Sequence, residues 1–327
     1  MVRFLATMGA LLALITPALS AGDGDGGYGG AFYQVPLGAR PTAMGGAYRA
    51  ISNDGAAPLF NPAGLSLLDR TLVASSYRAM QLDRQLGYLT FMFPVQGQTA
   101  IGGHWLYAGS GKVRERDSDG FDLGRDFSLN HHQFSVVFAK RFEKYLAVGA
   151  NLSYLYAKFP EVVATGVGFD FGGLLFVDEL IDREKRDDMP VKDIRLALTI
   201  KHIGKEFAWN SEKYNARYSG DAIGYEQTDK VPVEFALGSS ARFFARKLLL
   251  AADVSMNEKQ GPIAYAGAEF FLRPEFALRA GYYQKRFTAG TGYVFTFGSV
   301  TMAVDYAFST DRVDEGSEHI FSFDFLL

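Results

Sequence analysis

Cysteine is absent from the 327 residues. Its absence excludes disulfides, thiolate metal sites and cysteine nucleophiles together. An excess of charge of one sign is also missing: 33 Lys and Arg stand against 36 Asp and Glu, a formal net charge of -3. No basic stripe with interleaved aromatics is present, so nothing points to nucleic acid as a partner. After residue 20 no uninterrupted apolar run reaches the about 20 residues that a spanning helix needs. The remainder is therefore either soluble in a periplasm or crosses a bilayer as strands. Tryptophan is scarce, at two, yet aromatics make up 14% through 28 Phe and 17 Tyr, with 36 Gly beside them. A soluble reading of this length expects roughly two domains. A single closed barrel is equally allowed, and it carries many of its aromatics outside, in girdles at the two interfaces.

The first twenty residues read as a secretory signal. Arg3 supplies the positive start, Phe4 to Ile15 is mostly apolar, and Ala18-Leu19-Ser20 places small residues where a signal peptidase reads. Cleavage before Ala21 is expected over retention as an anchor, because the run is short and interrupted by Gly9 and Pro17. The polar stretch Ala21 to Gly27 follows.

From about residue 70 the hydrophobic period is two. Leu146, Val148, Ala150, Leu152, Tyr154 and Tyr156 alternate with Ala147, Gly149, Asn151 and Ser153. The same alternation recurs in Leu248 to Met256, Phe276 to Tyr282 and Val300 to Phe308. Each apolar series runs for up to about ten residues, the length of a tilted strand that crosses a bilayer; soluble strands are nearer 5 to 6. In lipid such strands must close on themselves to satisfy their backbone, and the small, polar face then points to the lumen. Segment starts fall near Thr71, Gln85, Gln98, His131, Lys144, Val163, Asp193, Val231, Lys247, Ile263, Glu275, Phe287, Val300 and Glu318. The expected fold is an all-β, antiparallel transmembrane barrel of about 14 strands with an N-terminal plug, in a bacterial outer membrane and in contact with its lipid. The division is 1–20 signal, 21–68 plug and 69–327 barrel.

Alternate connections are short, as the periplasmic turns of such barrels are. One breaks the rule: Asp178 to Val191 is long and carries the charged run Asp182 to Asp188. The opposite set includes the long segments Gly109 to Asn130 and Gly204 to Lys230. At the C-terminus Phe321, Phe323, Phe325 and Leu327 form one apolar face. The pattern resembles the terminal-strand signal of outer-membrane barrels, although the last residue is Leu327 where an aromatic is usual. On an ordinary edge strand of a soluble sheet the same face would invite aggregation.

Residues of about 28 to 68 break the period. Asp54-Gly55 is a turn pair and Asn61-Pro62 breaks regular structure, so short helices separated by turns are expected. The abundant small residues suit tight packing inside a lumen; a periplasmic extension is the alternative. The ordered series Gly38-Ala39-Arg40, Met44-Gly45-Gly46-Ala47, Asn53-Asp54 and Asn61-Pro62-Ala63-Gly64-Leu65 resembles the N-terminal signature of the PorV/PorQ family, which is related to FadL-type outer-membrane channels. The resemblance covers about a tenth of the chain. It implies a plug followed by a fourteen-stranded barrel, and one of two functions: an accessory of type IX-like secretion that binds a translocon and cargo, or passage of hydrophobic compounds. The motif favours the first. A purely structural barrel and a soluble periplasmic β-protein are the outside alternatives.

Catalysis finds little support, and no enzyme activity, cofactor or metal is expected. Ser135 lies near His131 and His132, but no acid is marked out to orient a histidine. Adjacent strand residues face opposite ways, so His131 and His132 make a poor metal pair. Gly166 to Gly173 lacks the lysine and helix of a phosphate loop and reads as a strand whose inner glycines admit a close backbone. The Asp-rich stretch Asp117 to Asp126 lacks the spacing of a calcium loop. Asp170, Asp253, Glu269, Arg279, Asp305 and Asp324 are candidate lumen charges, for plug contacts or a polar path.

Overall fold

The computed structural model describes residues 28–117, 119–160, 162–212, 224, 226–310 and 316–327, so the expected signal at 1–20 lies outside the described residues. In chain order the strands are β1 (Leu72–Ala79), β2 (Gln85–Val95), β3 (Thr99–Gly109), β4 (Val113–Arg116), β5 (Asp122–Phe127), β6 (Asn130–Phe142), β7 (Leu146–Phe159), β8 (Val162–Phe176) and β9 (Lys192–Ile203). They continue with β10 (Glu206–Asn210), β11 (Glu226–Lys230), β12 (Glu234–Phe243), β13 (Leu248–Asn257), β14 (Ile263–Arg273), β15 (Phe276–Tyr283), β16 (Arg286–Phe297), β17 (Val300–Thr310) and β18 (Ser317–Leu326).

Fourteen of them close an antiparallel barrel. Each pairs with its neighbour in sequence, β1 pairs with β18 from Leu72↔Leu326 to Ala79↔His319, and β8 with β9 completes the ring. All fourteen sequence-derived starts lie within three residues of an observed strand start. The largest offset is at Val231, where the strand begins at Glu234. The long segments hold strand pairs that the period did not reveal. β4 and β5 form a separate hairpin, while β10 and β11 extend the wall beyond the upper half of β8. Along this part of the wall the ladder is interrupted: His202 and Gly204 have positive φ, and residues 231–233 separate β11 from β12.

Alternation decides which face meets lipid. On β6, β7 and β8 the paired row Val136, Leu152 and Phe169 is exposed on the outside. Asn151, Ser153 and Asp170 on the other face are buried. The exterior is thus an apolar belt on a closed barrel, which is the form a bilayer requires; the location is the bacterial outer membrane. The end that bears Leu72 and Leu326 also bears the short connections and corresponds to the periplasmic side. The exceptional connection after β8 is indeed there, folded as a 3-10 turn at Val177–Leu180 and a short helix at Arg183–Asp187. A charge at mid-belt is expensive: Leu152→Arg should destabilise the barrel by about 2–4 kcal/mol in urea titrations from lipid vesicles, whereas Lys144→Arg at a turn should leave the midpoint unchanged.

Residues 28–68 fold as short helices, at Ala31–Gln34, Ala39–Ala43, Ala57–Phe60 and Pro62–Leu67. Most of residues 36–66 are buried. The segment starts near β11, where the Gly29 amide donates to the Lys230 carbonyl over 3.2 Å, and ends with Leu67 near Phe176 at the periplasmic end. Small inward residues make the room. A Cβ on Gly149 would sit 2.4 Å from the Ala63 nitrogen, one on Gly172 2.0 Å from Asn61 Oδ1, and one on Gly281 2.1 Å from the Gly45 nitrogen. The glycine run of β8 is only partly explained this way. Gly166 and Gly168 approach Glu206 and Lys205 of the wall instead.

Candidate functional site in the barrel interior

Two arginines tie the N-terminal segment to the strands. Arg40 opens the helix Ala39–Ala43, whose first amide, from Ala39, donates to Ser322 Oγ at 2.7 Å. Its guanidinium forks onto Glu269, with Nε–Oε1 and Nη2–Oε2 both 2.9 Å. Glu269 also accepts from Arg279 at 2.7 Å, and Arg279 donates to Asp305 at 2.5 Å. On the segment's own side Arg40 meets Asn53 Oδ1 at 2.9 Å, Tyr48 Oη at 3.1 Å and Asp54 at 3.5 Å, while the Tyr48 hydroxyl donates to Asp54. Burial alone would push the Arg40 guanidinium down; Glu269, Tyr48 and Asp54 together hold it well above its ordinary value.

Arg49 is the second tie. It reaches Glu234 at 2.8 Å and Asp253 at 3.4 Å. Asp253 Oδ2 accepts the backbone amides of Tyr48 and Arg49 at 2.8 and 2.9 Å. Asn61 locks the far end: its Oδ1 caps the Ala63 amide, and its Nδ2 donates to the carbonyls of Arg49 and Gly173. Gly64 is needed because a Cβ there would lie 1.8 Å from the Ser52 carbonyl. Gly38, Gly45 and Gly46 all have positive φ. Met44 and Gly45 lie on Gly267 and Gly281. Pro62 and Ala63 lie on Gly149. The motif residues are thus turn, close-approach and tether positions.

The charged candidates on the strands all face inward; Asp170, Asp253, Glu269, Arg279 and Asp305 are buried and Asp324 is half-buried. Asp253 meets Arg49, Glu269 meets Arg40, Arg279 links Glu269 to Asp305, and Asp324 accepts the Gly55 amide at 3.1 Å. Asp170 stands apart. It accepts the His202 amide at 2.7 Å and Lys205 Nζ at 3.0 Å, bracing the wall where its ladder breaks. Sequence reasoning passed over Arg49, Glu234 and Lys205. Glu234 begins an inward series with Ala236, Gly238 and Ser240 that a correct strand start would have exposed. Arg49 sits in an aperiodic stretch and Lys205 follows a bulge, so neither carried a signal.

His131 and His132 point apart. His131 lies against Phe32, Phe207 and Trp209 inside, while His132 stacks on Trp105 and Phe134 outside. Ser135 bonds Gln133 and Ser153, not a histidine. In the outer hairpin Arg114 and the Gly124 amide bind Asp122 and hold its carboxyl below the usual range, and Arg125 pairs with Glu115.

Two voids frame the segment on the outer half. A small one of about 50 Å³ lies among Phe32, Tyr33, Leu37, Phe60, Leu106 and Tyr265. A cleft of about 400 Å³ opens at the long-loop end beside Leu129, Phe159, Val162 and Trp209. Rings join them: Trp209 to Phe207 at 6.2 Å, Phe207 to His131 at 5.3 Å, His131 to Phe32 at 5.2 Å and Phe32 to Tyr33 at 4.4 Å.

These features define a class: a closed fourteen-strand antiparallel outer-membrane barrel. No protein-family model matches the sequence, and no curated protein matches it. Solved structures do match in fold. The CymD monoaromatic hydrocarbon channel aligns with TM-score 0.59 and 13% identity, over 89% of this chain and 96% of that one. The Pseudomonas putida toluene transporter TodX gives 0.57 and 12%, over 87% and 95%. A Pseudomonas aeruginosa FadL homologue gives 0.57 and 11%, over 89% and 98%. The chain is similar to FadL-type channels in fold; the finer resemblance to PorV/PorQ rests on the N-terminal motif alone.

Proposed function

We propose that the barrel passes hydrophobic small molecules across the outer membrane, with residues 28–68 as its plug. The observation that carries this is the aromatic ladder from the outer cleft to the inner void. It offers an apolar solute a succession of ring faces from the loop end into the lumen, beside a wall whose ladder is interrupted. The inner void is too small as it stands: a cavity of about 150 Å³ is the size that takes benzene. Passage therefore requires the segment to yield. The neighbours named as toluene transporters and as a monoaromatic hydrocarbon channel support the same chemistry. The secretion role implied by the N-terminal motif ranks second, since those neighbours are channels for small molecules.

The test is uptake of labelled toluene by cells of a strain without its own channels that express the protein. Expression should raise the initial rate. Phe207→Asp, which puts an uncompensated carboxylate on the ladder, should lower it by about tenfold, equivalent to about 1.4 kcal/mol in the barrier. Equal uptake with and without the protein would refute the proposal. Stoichiometric co-purification of a large exported protein would then favour secretion.

A further inference from the structure

The periplasmic mouth holds a third cavity, of about 570 Å³, remote from the ladder. Its walls come from the inner faces of β6, β8 and β9 and from the turns beyond β8 and β12. Five cations, Arg141, Arg186, Lys192, Arg195 and Arg246, line it together with four carboxylates, Asp178, Glu179, Asp187 and Asp193. Several have local partners. Arg186 pairs with Glu179 at 2.7 Å, Arg246 with Asp193 at 3.0 Å, and Lys192 Nζ donates to the Arg186 and Asp187 carbonyls. Asp178 is spent on the amides of Asp193 and Ile194.

Two guanidinium groups form no salt bridge among the described residues, although Glu179 acts on Arg141 and Asp193 on Arg195 from a longer distance. Arg141 reaches only the Lys144 carbonyl, and Arg195 has no hydrogen bond or ion pair. Both instead lie over the ring of Phe176, with their central carbons 4.0 and 5.4 Å from its centre. The ring fixes two planar forks beside an open cavity, at the edge of the lumen. Like charges gathered this closely repel, and guanidinium is the group best shaped to bind an oxyanion through paired N–H donors.

We propose that this cavity is an oxyanion site, in which Arg141 and Arg195 bind a phosphate group while Phe176 holds both side chains in place. The group could be supplied by a free phosphate in the periplasm or by the headgroup of a phospholipid from the inner leaflet. The site does not depend on what the barrel transports.

The experiment is calorimetric titration of the full-length barrel in neutral detergent with inorganic phosphate, paired with native mass spectrometry of barrel extracted from phosphatidylethanolamine–phosphatidylglycerol vesicles. Wild type, Arg195→Gln and Arg141→Gln are compared after a heat-modifiability check that each is a folded barrel. Saturable phosphate binding, weakened at least about tenfold in both variants, supports a site for the free anion. Retained phosphatidylglycerol that both variants lose, with no binding of inorganic phosphate, supports the headgroup. Absence of both ligands from folded wild type, or binding by the variants equal to wild type, overturns the proposal. Should Arg195→Gln fail to fold, Arg195→Lys, which keeps the charge but loses the fork, gives the same comparison.

Discussion

Replacing Arg40 with methionine is expected to free the N-terminal segment from β14 while the barrel stays closed. The substitution removes both bonds to Glu269 and the three contacts to Tyr48, Asn53 and Asp54. Glu269 keeps Arg279 but loses half of its partners in a buried setting. Removing one member of a buried pair costs about 3–5 kcal/mol. That loss falls on the segment and not on the ladder hydrogen bonds of the strands. The readouts are cleavage of the segment by an added protease and swelling of proteoliposomes in small sugars. Both should rise severalfold, with heat-modifiability of the barrel unchanged. Arg49→Met should act similarly through Glu234 and Asp253, which are different acids, so the double variant should show close to the sum. A double variant as protease-resistant as wild type would mean that packing, not these charges, holds the segment.

The second large effect is expected from Gly281→Val. A Cβ there meets the Gly45 nitrogen at 2.1 Å and the Met44 carbonyl carbon at 2.4 Å, and both are backbone atoms that no rotamer change can move aside. Overpacking a well-filled interior costs about 1–3 kcal/mol, and at this distance the segment must withdraw from β15. Swelling should rise as for Arg40→Met. Gly103→Val is the control: its nearest atom is 3.9 Å away on the outer face, and it should change nothing. Wild-type swelling rates for Gly281→Val would sink the view that the close approach at this point excludes solutes.

The barrel was legible because lipid imposes a simple rule. One face of every strand must be apolar, so Leu146 to Tyr156 and Leu248 to Met256 disclose both strand and orientation before any coordinate is known. The rule fails where lipid is absent. β10 and β11 lie at the loop end and carry Glu206, Glu226 and Lys230 in place of an apolar row, so no period marks them. The inward acids were visible as polar residues in the right phase. Their partners were not, because Arg49 and Lys205 lie in aperiodic backbone, where only three-dimensional contact identifies them. The motif around Gly38 to Gly64 displayed its small residues in the sequence; which glycine faces which strand depends on the wrap of the barrel.

The pairing of β1 with β18 has a consequence for how the ring stays closed. The ring cannot close until β18 is available, whereas residues 28–68 precede every strand in the chain. The segment's close approaches to β7 and β8 on one side of the ring and to β14 and β15 on the other lie well away from that seam. The seam itself is held by strand pairing and by the Gly55 amide on Asp324 of β18, so loosening the segment at β14 and β15 leaves the closing ladder intact.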